Sequence, residues 1–135
     1  MASHGYEEVD HTADIAIRVW GENFQALLRQ AADGLYDLMG IKPIRNSPAE
    51  VRFDLPQGTK EDILVDFLNE LLYLSDEKRQ ILNDFLFSEN NDEFEIQAAG
   101  CQILSQERQI KAVTFHNLSV EETNHGFKAI ITFDV

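Results

Sequence analysis

The hydrophobic period switches between helical spacing and a period of two along the chain, and the order of those switches limits the folds open to it. Between Asn23 and Gly40 the apolar residues Phe24, Leu27, Leu28, Ala31, Leu35, Leu38 and Met39 recur at helical spacing. Ile63, Leu64, Phe67, Leu68, Leu71 and Leu72 do so again. After Leu82 the period falls to two, with Phe94, Ile96 and Ala98 on one side of a strand, and Phe127, Ala129, Ile131 and Phe133 on one side of another. Two helices early and a run of antiparallel-type strands late predict an α+β fold, a two-layer domain of mostly antiparallel sheet carrying two amphipathic helices. With 135 residues the chain is read as a single domain over 1–135.

Local signals mark the element ends. Asn23 is placed to cap the first helix and Gly40 to stop it. Thr59 and Asp62 form a capping-box pattern ahead of the second helix. Pro43 and Pro48 punctuate a predicted loop, Val51, Phe53 and Leu55 a short strand, and Pro56-Gln57-Gly58 breaks it. Further strands are expected over 82–89, 110–116, 118–122 and 127–135, with Glu89-Asn90-Asn91-Asp92 and Thr123-Asn124-His125-Gly126 as turns. Near the start, Ile15, Ile17 and Val19 alternate with Ala16, Arg18 and Trp20 in a strand that opens on Asp14, with His11 three residues before it.

Composition excludes several functions. The single cysteine, Cys101, rules out an internal disulfide and a thiolate zinc cluster, and it is read as a small structural residue at the end of a strand. No apolar run is long enough to span a bilayer, and the acidic opening MASHGYEEVD lacks an apolar signal core, so a cytoplasmic protein with no membrane contact is expected. The 24 acids against 11 bases give a formal charge of −13. A chain this acidic is repelled by phosphate backbones, so no direct nucleic-acid contact is expected, and a basic protein or a metal is the better-matched partner. Phosphate-binding loops, dinucleotide fingerprints, a nucleophile elbow and a calcium-binding EF-hand loop are all missing from the sequence.

What remains is carboxylate chemistry. The last strand is predicted to run to the final residue, which puts the Asp134 side chain beside the Val135 α-carboxylate. If the first and last strands are neighbours, Asp14 joins them. Three such groups either share a proton, bind a cation or stand apart in water. Oxygen donors of this kind favour calcium, magnesium or manganese over zinc. The clusters Asp92, Glu93, Glu95 and Glu121, Glu122 are read as solvated charge, Asp62 as a cap and Asp66 as a solvent-face residue. His4 and His125 fall near an end and in a turn. His11 and His116 are the two histidines worth weighing, and Lys111 is one of few cations, read on pattern alone as an edge-strand lysine.

Several blocks of the sequence resemble the archease family. His11-Thr12-Ala13-Asp14-Ile15-Ala16-Ile17 is similar to the opening motif of that family. Ala31-Ala32-Asp33-Gly34-Leu35 and Phe67-Leu68-Asn69-Glu70-Leu71-Leu72-Tyr73 continue the likeness. Ile110-Lys111-Ala112-Val113-Thr114-Phe115-His116 matches a second signature, in which tyrosine usually stands in place of Phe115, and Phe133-Asp134-Val135 a third. The resemblance implies an accessory protein, not an enzyme, that assists an RtcB-type RNA ligase in tRNA splicing and RNA repair. It implies promotion of ligase guanylylation and of multiple turnover. It also implies a site for calcium or another divalent metal on Asp14, Asp134 and Val135, with His11, Lys111 and His116 as lesser functional candidates. Where many relatives carry an acidic residue after the glycine matching Gly100 and a longer connection, this chain has Cys101 and a short 103–109 segment. Three other readings share the same residues: a calcium-binding interaction domain without a ligase partner, a chaperone-like module, and a metal-dependent hydrolase using His11, Asp14 and His116.

Overall fold

The change of period becomes a division of labour between two helices and two antiparallel sheets. A computed structural model describes residues 3–9, 15–89 and 92–135. Along the chain the elements are β1 (Gly5–Val9), β2 (Ile15–Gly21), α1 (Phe24–Met39), β3 (Lys42–Pro56), α2 (Lys60–Glu77), β4 (Gln80–Glu89), β5 (Glu93–Ser105), β6 (Ala112–Thr114), β7 (Glu121–Thr123) and β8 (Gly126–Asp134). One sheet has the order β1-β2-β8-β6, with β7 also paired to β8. The other has the order β3-β5-β4. The α+β, mostly antiparallel architecture is as the sequence predicts. The strands divide into two sheets because the helix pair offers apolar surface in two directions: α1 lies against β1, β2, β8 and β4, and α2 against α1, β3, β4 and β6.

Both helices end where their caps dictate. Asn23 Oδ1 accepts from the Ala26 N–H at 2.8 Å, and Gly40, at φ 61°, turns the chain out of α1. The Gly40 N–H donates to the Asp37 carbonyl at 3.1 Å. At α2 the capping box is complete: the Asp62 N–H donates to Thr59 Oγ1 at 3.1 Å, and the Thr59 N–H donates to Asp62 Oδ2 at 3.3 Å. The buried face of α2 is wider than the six apolar positions suggested. Val65, Leu74 and Ser75 are buried as well, which extends the covered arc to roughly 200° at 100° per residue. Ser75 satisfies its hydroxyl internally by donating to the Leu72 carbonyl at 2.9 Å. Phe67, on this face, meets Phe85 and Phe87 of β4 edge-on at 5.3 and 5.9 Å between ring centroids.

Three local expectations need correction. The loop around Pro43 and Pro48 belongs to β3, an edge strand in which proline is tolerated because one side has no ladder to complete. Pro43 faces Ile103 and Pro48 faces Cys101, so residues 44–47 bulge out between them, tied by Ser47 Oγ accepting from the Gln102 N–H at 3.1 Å. Cys101 stands well inside β5, half-buried, and not at its end. The strands expected over 110–116 and 118–122 shrink to Ala112–Thr114 and Glu121–Thr123, and β8 starts at Gly126 and ends at Asp134. β1, GYEEV, lies outside the expected strands, because its residues show no alternation of apolar and polar character. It is an edge strand, held by pairing to β2 from Gly5↔Trp20 to Val9↔Ala16.

Candidate functional site

β8 is the axis of the site. It pairs with β2 on one side, from Gly21↔Phe127 to Ile15↔Phe133, and with β6 on the other, from Thr114↔Thr132 to Ala112↔Asp134. Ala129, Ile131 and Phe133 enter the core from one face, as their alternation requires, and Thr132 and Ala16 are buried on the other. A strand flanked on both sides is fixed in register, so its last residue is held in place rather than frayed. The Lys111 N–H adds a bond to the Asp134 carbonyl at 2.8 Å beyond the end of β6.

At this end the Asp134 side chain is exposed, and Val135 follows at 44% exposure. Neither carboxylate has a basic partner within 4 Å among the described residues; the ion pairs lie elsewhere, Arg18 with Glu7, Arg52 with Glu95 and Lys128 with Glu121. Lys111 is brought to the same end of the sheet through its backbone, and its side chain is exposed. His11 and Asp14 lie outside the described residues, and so does any geometry of theirs. What is described is Ile15, the next residue after Asp14, directly opposite Phe133, the residue before Asp134. Among the described residues no group of three or more histidine, cysteine, aspartate or glutamate side chains is placed to hold a metal ion.

His116 is carried away from this end. The register Ala112↔Asp134, Thr114↔Thr132 runs from the carboxylates toward Ile130 as the chain approaches His116. Four strand residues separate the level of Ile130 from Asp134, roughly 13 Å. There the His116 N–H donates to Thr114 Oγ1 at 3.3 Å, and the Asn117 amide nitrogen lies 3.2 Å from His116 Nε2.

Two positioning residues were not singled out from sequence. Asn69 of α2 accepts from the Val113 N–H at 3.0 Å, which gives a partner to a backbone donor on the outer edge of β6. Glu61, in the first turn of the same helix, accepts from the Val120 N–H at 2.7 Å. Asn69 lies in the Phe67–Tyr73 block but just off the buried arc of α2, where a polar residue is ordinary, so no local signal marks it. Glu61 carries none either, since an acid in the first turn of a helix is ordinary.

Titration behaviour is perturbed away from the carboxylate end. Burial, then the nearby Asp62 carboxylate, pushes the Asp66 carboxyl above its ordinary range. Burial and then the bond to Asp37 push Tyr6 up; its hydroxyl donates to Asp37 Oδ2 at 2.9 Å. Tyr36 is raised mainly by burial, and its hydroxyl accepts from the Leu82 N–H at 3.2 Å.

The comparisons with known proteins agree with this fold. The model of the archease protein family matches residues 6–135. The archease of Methanosarcina barkeri is 34% identical, with the whole of both chains covered. The archease of Methanopyrus kandleri is 29% identical over 96% of this chain and 99% of its own. The crystal structure of a Thermotoga maritima archease, described as a possible chaperone, superposes with a TM-score of 0.72 at 26% identity over 96% of each chain. The solution structure of a Methanobacterium thermoautotrophicum protein has the same fold at a TM-score of 0.74, with 22% identity over 97% of this chain and 99% of that one. By family match, relatives and fold together, this chain belongs to the archease family.

Proposed function

We propose that this chain is an accessory protein of an RtcB-type RNA ligase in tRNA splicing and RNA repair, acting in the cytoplasm without catalysing the reaction itself. It promotes guanylylation of the ligase and multiple turnover through a cation-binding end of β8. The observation that carries this reading is the register: Ile15 faces Phe133, and the Lys111 N–H holds the Asp134 carbonyl. In the sequence Asp14 directly precedes Ile15 and Asp134 directly follows Phe133, so the two acids adjoin one paired position. The donor chemistry fits a hard divalent cation, calcium first and magnesium or manganese after it, because carboxylates without a basic partner gain most from a cation. Asp14, Asp134 and the Val135 α-carboxylate would hold it, and Lys111 would limit the net charge of the set. A cation there would supply charge neutralisation for phosphate oxygens.

The rest of the surface suits a basic enzyme. A charge of −13 steers encounter with a positively charged partner and disfavours direct binding to RNA. No helix among the described residues is long and apolar enough to cross a membrane. Calorimetric titration with calcium tests the site. The wild type should bind one ion, and Asp134→Asn and Asp14→Asn should each weaken binding at least tenfold; unchanged affinity in both variants would refute the assignment. A second reading, a chaperone-like module, is favoured by the description of the Thermotoga relative. It predicts suppression of light scattering by an unrelated unfolding protein at stoichiometric ratios.

A further inference from the structure

The connection from β6 to β7 is held more firmly than an exposed loop requires. Its entry is fixed by Asn69 at the Val113 N–H and its exit by Glu61 at the Val120 N–H. Both acceptors come from α2, eight positions apart, roughly 12 Å along the helix. Between these straps the loop is organised internally. The Leu118 N–H donates to the Phe115 carbonyl at 3.0 Å, and His116 and Asn117 are bonded as described above. Asn117 takes the left-handed backbone at φ 52° that this tight turn needs. Leu118 and Val120 pack inward against the core. Phe115 does the opposite and stands 54% exposed at the head of the turn.

Beside the loop lies an open cavity of about 260 Å³ on the outer face of the five-stranded sheet. Arg18 and Lys128 line it with Asn117, Ser119, Glu121 and the exposed Ile130. In a chain with more than twice as many acids as bases, this concavity holds two cations diagonally placed on adjacent strands, Arg18 opposite Ile130 and Lys128 two residues along β8. Each is paired with an exposed carboxylate, Arg18 with Glu7 and Lys128 with Glu121, and exposed pairs of that kind exchange partners at little cost.

We infer that the 113–120 loop and this cavity form a preorganised docking surface for a protein partner, with Phe115 as the anchor. The partner it fits presents an apolar pocket to Phe115 and, next to it, an acidic side chain that enters the cavity and pairs with Arg18 and Lys128. A loop already fixed at both ends loses little freedom on binding, so contact area is converted into affinity efficiently. Aromatic side chains in such positions dominate binding energy at protein interfaces. The inference rests on the ligase reading for the identity of the partner, and it assigns to that partner a contact separate from the carboxylate end.

The test is binding of a purified RtcB-type ligase to immobilised protein, measured for the wild type, Phe115→Ala, Phe115→Tyr and Lys128→Glu, with a calcium titration of each. Phe115→Ala should weaken binding about 30-fold, the size of an interface hot spot. Phe115→Tyr should keep the wild-type affinity, and Lys128→Glu should weaken binding by repelling the partner's acid. Calcium affinity should be the same in all four. Wild-type affinity in Phe115→Ala overturns the surface and leaves the ligase reading standing. No binding by the wild type itself overturns both. If Phe115→Ala loses binding together with hydrogen-exchange protection of the Val113 and Val120 amides, Lys128→Glu decides, because it leaves the loop's own bonds untouched; wild-type affinity there overturns the proposal.

Discussion

Asn69→Leu isolates the contact that ties α2 to the site. The substitution keeps a helix-compatible side chain of similar size and removes the acceptor of the Val113 N–H. That donor lies on the outer edge of β6, where its partner is the amide of Asn69. Leaving it unsatisfied costs about 1–3 kcal/mol. β6 is only three residues long, so the cost falls on local opening before it falls on global unfolding. At about 1.4 kcal/mol per factor of ten, exchange of the Val113 amide should accelerate roughly 5- to 150-fold. The Lys111 amide, bonded to the Asp134 carbonyl at 2.8 Å, should follow it, because the two bonds flank Ala112 on one short segment. Amides of β5, in the other sheet, should keep their protection. Native-state hydrogen exchange resolved by residue reads all three. Asn69→Asp, which keeps an oxygen at the same place, should restore protection at Val113. If Asn69→Leu leaves Val113 and Lys111 as protected as in the wild type, the bond does not hold β6, and the account of how α2 positions the carboxylate end is wrong.

Three further outcomes follow from the packing and charge of the fold. Gly100→Ala should be strongly destabilising, seen as a large drop in denaturant midpoint, because a Cβ there would overlap the Ile81 carbonyl oxygen beside the bulge at Asn83, where Leu82 faces Gly100 and Asp84 faces Ala99. Phe67→Ala should cost about 3–5 kcal/mol in equilibrium unfolding, since the ring is fully buried against Phe85 and Phe87; a loss under 1 kcal/mol would mean the cluster does not carry the core. Asp66→Asn should stabilise the protein at neutral pH. A carboxyl whose folded pKa is raised favours the fold while protonated, and that contribution is lost as pH rises through the folded value, so the difference between variant and wild type should vanish on acidification through the carboxylate range. A pH-independent difference would contradict that origin.

The parts of the fold legible in the sequence are those set by local chemistry. Both helices, their caps and the inward faces of β5 and β8 follow from period and capping residues alone. What stayed hidden depends on partners distant in sequence. The strand character of GYEEV comes from pairing with β2, and no alternation announces it. The prolines of β3 read as a loop because proline breaks a ladder, and only the strand's place at the sheet edge removes that objection. The stretch from Ile110 to His116 is rich enough in Ile, Val, Thr and Phe to read as a full strand, yet the ladder stops at Thr114, where the strapped turn takes over. The same split applies to the site. Asp134 and Val135 are conspicuous as terminal acids, and Lys111 as a scarce cation. The place of Asp134 and Lys111 at one end of the sheet depends on β2 and β6 flanking β8, and on Asn69 reaching across 44 residues to Val113, which no local pattern encodes. His116 looked equivalent to Lys111 in sequence; the register takes it in the other direction along β8.

The most direct test of the central claim is RNA ligation by a purified RtcB-type ligase present at substoichiometric amount, with GTP and Mn²⁺, with and without this protein and its Asp134→Asn variant. The account predicts that the wild type converts a single round of ligation into many and that Asp134→Asn does not. Ligation limited to one round with the wild type present, or multiple rounds sustained equally by Asp134→Asn, would contradict it.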